Sequence, residues 1–341
     1  MTTDFLTAWR AGDQQFTLQT SGSTGTPRPV VLTRAQLEAS ARLTGETFGL
    51  VPGDRALVCL NTRYIAGVMM LVRGEVLGLE LTLVEPAGNP LAGFDPATTQ
   101  FDFAAFVPLQ LQTILADTGP DGQPVSLPVL NRMKAILIGG AATSTALENA
   151  LQVIESPVYA TYGMTETVSH IAIRRLNGPE KSLLFRVLPG VVVGIDERDC
   201  LHITAAATNH ERVQTNDVVE LMTDADVVRF RLLGRADSII NTGGVKVQPE
   251  AIEAVIQQQL LHWNLSPRLF IMGLPDERLG QRVVLFLENQ PLANDQWLAI
   301  QAAIRDTAGP YAVPKEWFSV EQFAETATGK MDRRATVVTF A

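Results

Sequence analysis

Short apolar runs alternate with longer helical patterns from residue 17 to about residue 175. Residues 55–60, 81–84, 103–107, 135–138 and 158–161 read as strands, and residues 65–79, 109–115 and 144–154 as helices. Residues 16–18 and 30–32 read as two further strand segments around a polar loop. Alternation of this kind specifies an α/β layer with a largely parallel sheet. Ligands of such sheets sit at the carboxyl ends of the strands. Gly139-Gly140 and the turn Tyr162-Gly163-Met164 both fall at such ends.

The pattern changes near residue 187. Residues 191–195 and 201–204 flank Asp196-Glu197-Arg198-Asp199, and residues 218–222 and 228–232 flank Thr223-Asp224-Ala225-Asp226, which reads as two hairpins in a small antiparallel β region. After Gly234-Arg235-Ala236-Asp237 come a strand at 239–240, a helix opened by Pro249-Glu250, two strands around Asp276-Glu277-Arg278 and a helix from Gln296. The expected organisation is α/β: a large N-terminal layered domain over 1–236, then a small α+β domain over 237–341. No internal repeat or low-complexity tract is visible.

Composition narrows the class. In 341 residues, 46% are hydrophobic and 18% charged, which fits a folded chain with a substantial core. A net charge of -9 argues against a nucleic-acid partner, since phosphate backbones need a basic face. Cys59 and Cys200 make neither a disulfide framework nor a zinc spacing. The start MTTDFLTAWRAG lacks the pattern of a secretory signal. The most apolar stretch, residues 65–72, is interrupted by Arg73 and Glu75 and is too short to span a bilayer. A cytoplasmic protein without a membrane partner is expected.

Four stretches stand apart chemically. Thr20-Ser21-Gly22-Ser23-Thr24-Gly25-Thr26 offers hydroxyls and glycine amides to phosphate oxygens, or else forms a plain Gly/Ser-rich hairpin turn. It is not the common nucleotide loop, because no Gly-Lys-[Ser/Thr] follows and the next element is a strand. The others are YATYGMTETVSH (159–170), LLGRADSIINTGGVKVQPEAIE (232–253) and TATGKMDR (326–333).

In this order the four stretches resemble the core motifs of the adenylate-forming superfamily of acyl-CoA synthetases, adenylation domains and luciferases. The resemblance implies ATP-dependent activation of a carboxylic acid, with ATP, Mg2+ and coenzyme A as cofactor and co-substrates. It places Thr20, Ser21, Gly22, Ser23, Thr24, Gly25 and Arg28 on the ATP phosphates. Gly139, Gly140, Tyr162, Gly163, Asp217 and Arg235 fall on the adenine and ribose. Lys330, Glu166 and Thr165 are then the catalytic residues, with Glu166 the magnesium ligand. Asp237 is the hinge about which the C-terminal domain turns, and Gly243 and Gly244 line the coenzyme A channel.

Two departures stand out. Pro27-Arg28-Pro29 replaces the usual Pro-Lys-Gly, and the phosphate loop begins at residue 20, where typical members carry a much longer preceding segment. An abridged large domain is therefore expected, either completed by a second copy of the chain (a homodimer) or working as a smaller fold.

SGSTG, Tyr64 to Met70, YGMTETVSH and Leu188-Pro189-Gly190-Val191 look like the short o-succinylbenzoate–CoA ligases of menaquinone synthesis. That acid keeps a second carboxylate and a ketone, so its pocket needs a cation or several donors. Arg63, Tyr64, Ser169 and His170 are the candidates. Another aryl- or acyl-CoA ligase, a stand-alone adenylation protein loading a carrier thiol, and a non-catalytic binding protein are the alternatives.

Overall fold

The computed structural model describes residues 2–19, 29–224, 227–326 and 331–338. Helix α1 (Thr2–Ala11) leads into strands β1 (Gln15–Gln19) and β2 (Pro29–Thr33), which pair antiparallel. Next come α2 (Arg34–Phe48), β3 (Arg55–Val58), α3 (Ile65–Leu77), β4 (Glu80–Leu83), β5 (Phe103–Phe106), α4 (Pro108–Ala116), the short α5 (Leu127–Leu130), β6 (Ala135–Ile138), α6 (Thr145–Ala150) and β7 (Val158–Gly163). The chain then runs through β8 (His170–Arg175), β9 (Phe185–Val187), β10 (Val192–Ile195), β11 (Cys200–Thr204), β12 (Val213–Asp224) and β13 (Val227–Arg235). Beyond residue 237 lie β14 (Ile240–Thr242), β15 (Val245–Val247), α7 (Pro249–His262), β16 (Leu269–Asp276), β17 (Gly280–Glu288), α8 (Asn294–Ala308), β18 (Glu316–Val320) and α9 (Arg333–Val337).

Among the described residues, one 11-stranded sheet takes the order β10-β11-β12-β13-β9-β8-β7-β6-β5-β3-β4. The strands β4, β3, β5, β6 and β7 are mutually parallel. Ala135-Ile136-Leu137-Ile138 is buried along its whole length, because helices cover both faces. One core cluster packs α4 and α6 through Leu111, Ile114, Leu147 and Leu151. On the other face, Val68, Met69 and Val72 of α3 meet Leu37 and Ala41 of α2. The chain leaves β3 for β4 on one side and returns to β5 on the other, so the crevice at their carboxyl ends is a topological switch point.

The two hairpins expected near residues 191–232 are present, but they do not form a separate sheet. Through β9 and β8 they continue the parallel layer, with β8 antiparallel to β7. Helix α2 carries no apolar stripe, since its buried face includes Gln36, Ser40 and Thr44. It starts on a capping box: the Gln36 amide donates to Thr33 Oγ1 at 3.2 Å, and the Thr33 amide donates to Gln36 Oε1 at 2.9 Å. The second sheet, β15-β14-β17-β16 with β18 parallel to β17, comes wholly from residues beyond 237. No helix among the described residues is long and apolar enough to cross a membrane.

Candidate active site

Two groups of side chains converge on the carboxyl end of β7, where the chain makes a close reversal into β8. A Cβ on Gly163 would lie 2.2 Å from the Ser169 carbonyl oxygen, so only glycine fits there. A register shift between Tyr162 and Gly163 puts Tyr162 opposite Ala172 and Gly163 opposite His170.

The first group surrounds Tyr162. Its ring is 8% exposed and packs edge-on against Phe185 and Phe230. Its hydroxyl donates to Asp217 Oδ2 at 2.6 Å, and Arg235 Nη1 reaches Asp217 Oδ1 at 3.1 Å. The antiparallel register of β12 and β13 sets Asp217 directly opposite Arg235. The same guanidinium clamps Asp237 through Nε at 2.9 Å and Nη2 at 2.8 Å. Burial, with the Asp217 carboxylate beside it, holds the Tyr162 phenol far above its usual range, so it remains a donor. The bidentate bond to Asp237 raises Arg235 further, and the same bond lowers Asp237. Each oxygen of Asp217 still has acceptor capacity for a hydroxyl pair.

Thr165 is buried and Glu166 exposed in the short turn Thr165–Thr167. Among the described residues no group of three or more His, Cys, Asp or Glu could hold a metal ion, so a magnesium ion held by Glu166 would draw further ligands from phosphate oxygens and water. Gly139 and Gly140 follow β6 at the neighbouring strand end. Thr20, Ser21, Gly22, Ser23, Thr24, Gly25 and Arg28 lie outside the described residues. Their flanks, β1 and β2, place that segment between antiparallel strands. Lys330 also lies outside the described residues. On its flanks, Glu325 bridges to Met331, and Arg333 Nη1 holds the partly buried Glu253 at 3.0 Å.

Gly243 and Gly244, with φ of 58° and 80°, form the two-residue turn between β14 and β15. A Cβ on Gly243 would meet Tyr311 Cε1 at 2.8 Å. Beside this turn opens a cleft of about 580 Å³ lined by Thr242, Arg278, Arg282, Tyr311 and Lys315 among others.

The second group joins Ser169 and His170, both expected at the acid pocket, to Arg73, which the motifs did not single out. Arg73, in the middle of α3, is 2% exposed. Among the described residues no carboxylate pairs with it. Its Nη2 donates to Ser169 Oγ at 2.8 Å and its Nε to Thr44 Oγ1 at 3.2 Å, while Nη1 lies 3.4 Å from Met70 Sδ. Burial lowers the guanidinium to about 10, so it stays charged at neutral pH. Ser169 Oγ lies 3.2 Å from His170 Nδ1. Burial and then the Arg73 charge push His170 down to about 3. If Ser169 donates to Nδ1, the neutral ring carries its proton on Nε2; among the described residues this buried atom has no partner. The cluster is thus cationic and rich in donors. Phe48, Phe103 and Tyr159 form its aromatic side.

Arg63, by contrast, is exposed on the turn before α3, where its amide donates to Asn61 Oδ1 at 2.9 Å. Tyr64 is the residue preceding the first turn of α3. The cation that meets Ser169 and His170 is therefore Arg73, deeper in the same helix. The available signal was an arginine directly after the unbroken apolar run of residues 65–72.

The AMP-binding enzyme family matches residues 8–199, and the chain belongs to that family. A probable 2-succinylbenzoate–CoA ligase of Mycobacterium tuberculosis is 29% identical over 98% of this chain and 88% of its own length. The 2-succinylbenzoate–CoA ligase of Salmonella typhimurium is 25% identical over 98% of this chain and 70% of its own. Among solved structures, an AMP-forming acyl-CoA synthetase/AMP-acid ligase II-like protein from Dyadobacter fermentans is 46% identical. It covers 99% of this chain and 93% of its own, with a TM-score of 0.63. The Bacillus subtilis o-succinylbenzoate coenzyme A synthetase, in complex with ATP and magnesium, shares the fold at a TM-score of 0.74. It is 20% identical over 94% of this chain and 69% of its own.

Proposed function

We propose that the chain is an AMP-forming acid–CoA ligase acting on o-succinylbenzoate, in two half-reactions at one site. In the first, a carboxylate oxygen attacks the α-phosphorus of ATP in line, and the bond to pyrophosphate breaks. In the second, the coenzyme A thiol loses its proton and attacks the acyl carbon, and AMP leaves. Charge developing on the phosphoryl group must be neutralised by fixed donors and cations.

In this reading Asp217 and Arg235 hold the ribose, and Tyr162 fixes the Asp217 carboxylate. Magnesium, when bound, neutralises phosphate charge beside Glu166. Thr20 to Thr24 with Arg28 hold the phosphate tail, and Lys330 sits between the attacking carboxylate and the α-phosphate. The chain divides into 1–236 and 237–341, with Asp237 the pivot. The second sheet's origin beyond residue 237 supports that division. Gly243 and Gly244 leave room for the pantetheine arm, and the cations Arg278 and Lys315 suit the nucleotide phosphates of coenzyme A.

The observation that carries the substrate is Arg73. A buried guanidinium with no carboxylate partner among the described residues, beside a His170 Nε2 that none of them pairs, suits an incoming anion. The second carboxylate and ketone of o-succinylbenzoate are acceptors of that kind. The names of the mycobacterial and Salmonella relatives point to the same acid. The test is pyrophosphate release with o-succinylbenzoate set against benzoate, a phenylacetate and fatty acids, each with and without coenzyme A.

A further inference from the structure

Val168, between Glu166 and Ser169, is the one β-branched residue with a positive φ among the described residues. Its φ is 65° and its ψ -56°, and the Ser169 amide donates to the Thr167 carbonyl at 2.7 Å. This is a γ-turn of the rare, strained form. The other non-glycine residues with positive φ are Asp199, Asn209, His210, Asn264 and Asn289, types that tolerate the region; a valine there is an outlier. Such conformations persist only where the surroundings over-determine them, and they gather at functional sites.

Two features hold this one. The Val168 side chain is 0% exposed, in a cluster with Leu18 and Leu32, which flank residues 20–28, and with Val68, Met69 and Val72 of α3. Thr167 Oγ1, also fully buried, accepts from the Met164 amide at 3.0 Å and lies 2.9 Å from the Ser169 carbonyl oxygen. The next residue in the chain is Ser169, whose hydroxyl meets Arg73, and Arg73 follows Val72.

We propose that Val168 is a positioning residue of the acid pocket: wedged under the β1–β2 hairpin, it keeps the turn reversed so that Ser169 and His170 face Arg73. This rests on the reading of the Arg73 cluster as the site for the acid's second carboxylate. If the wedge is lost while a Cβ remains, the turn relaxes to negative φ and the two side chains leave Arg73.

Val168→Ala and Val168→Gly separate this role from ordinary packing. Loss of packing alone ranks Ala above Gly, because Ala keeps a methyl group and less chain entropy. A turn that must stay at positive φ ranks Gly above Ala. Steady-state kinetics with o-succinylbenzoate are expected to show the acid KM raised at least about fivefold in Val168→Ala, and less in Val168→Gly. The ATP KM stays within about twofold of the parent in both. Thr167→Val keeps the wedge and the volume but removes the brace, and it raises the acid KM in the same selective way. An Ala variant closer to the parent than the Gly variant, or a Thr167→Val variant with the parent's acid KM, overturns the proposal. Arg73→Lys serves as the control. If it leaves the preference for o-succinylbenzoate over benzoate unchanged, the pocket itself is lost and this proposal with it. If it shifts the preference while the Val168 and Thr167 variants do not, Val168 alone is wrongly assigned.

Discussion

Arg73 Nη2 and Ser169 Oγ, 96 residues apart in sequence, meet at 2.8 Å in a buried cluster to which the described residues contribute no carboxylate. Taking a guanidinium out of water is costly unless an anion or a full set of acceptors replaces the solvent. Here three protein acceptors are present and one of them is a thioether sulfur. The arrangement favours whatever brings in a carboxylate.

Replacing Arg73 should therefore separate stability from selectivity. Arg73→Met removes an uncompensated buried charge and is expected to raise the melting temperature, read by calorimetry. The same variant should lose about 2–5 kcal/mol of binding to a dicarboxylate, a KM rise of at least about 30-fold. Benzoate turnover should change little. A lower melting temperature with equal losses for both acids would make Arg73 a structural residue.

In the proposed site Tyr162 acts on the nucleotide through Asp217. Tyr162→Phe deletes the 2.6 Å bond to the carboxylate and keeps the ring among Phe185 and Phe230. A hydrogen bond to a charged group contributes about 1.5–3 kcal/mol. The expected result is a raised ATP KM with the acid KM unchanged, the opposite split from Arg73. A variant that raises the acid KM instead would remove Tyr162 from the ribose assembly.

His170 should leave a mark on acid stability. Its folded value is depressed from 6.5 to about 3, so the unfolded chain binds the proton first. The stability that goes with the neutral ring is complete above pH 6.5 and is lost as pH falls towards 3. The slope reaches up to about 1.4 kcal/mol per pH unit. Denaturant titrations from pH 4 to 8 should show this decline, and His170→Gln should flatten it. Between pH 6.5 and 8 the acid KM should show no titration from this ring. An equally steep decline in the variant would assign the slope to other groups.

Lys330→Ala is expected to abolish adenylation while largely sparing thioester formation from pre-made acyl-adenylate. Rapid-quench measurement of each half-reaction decides it. Equal damage to both would contradict a pivot at Asp237 that removes Lys330 between the steps.

The parallel layer was legible because its strands, such as Ala135-Ile136-Leu137-Ile138, are apolar throughout and bounded by turn residues. Helix α2 was not, because its buried side chains Gln36, Ser40 and Thr44 are polar; Gln36 Nε2 donates to the Ala207 carbonyl and Thr44 Oγ1 accepts from Arg73 Nε, long-range partners that no local pattern encodes. Pairing of β9 with β13 joins the hairpins to the main sheet by a long-range contact that no local pattern encodes. At the site, Tyr162, Asp217, Arg235 and Asp237 were singled out by motif, and the structure connects all four. The acid side was legible only in part. Ser169 and His170 were named, but Arg73 read as a charge interrupting an apolar run, and its burial became visible only when α3 packed against α2 and the turn that leads into β8.

The most direct measurement is acid-dependent pyrophosphate release by the purified protein with ATP and magnesium, across o-succinylbenzoate, benzoate, a phenylacetate and fatty acids, with and without coenzyme A. Release with o-succinylbenzoate well above the other acids, with its coenzyme A thioester formed, is the expected result. Release driven equally well by benzoate, or no release with o-succinylbenzoate while ATP still binds, would contradict it.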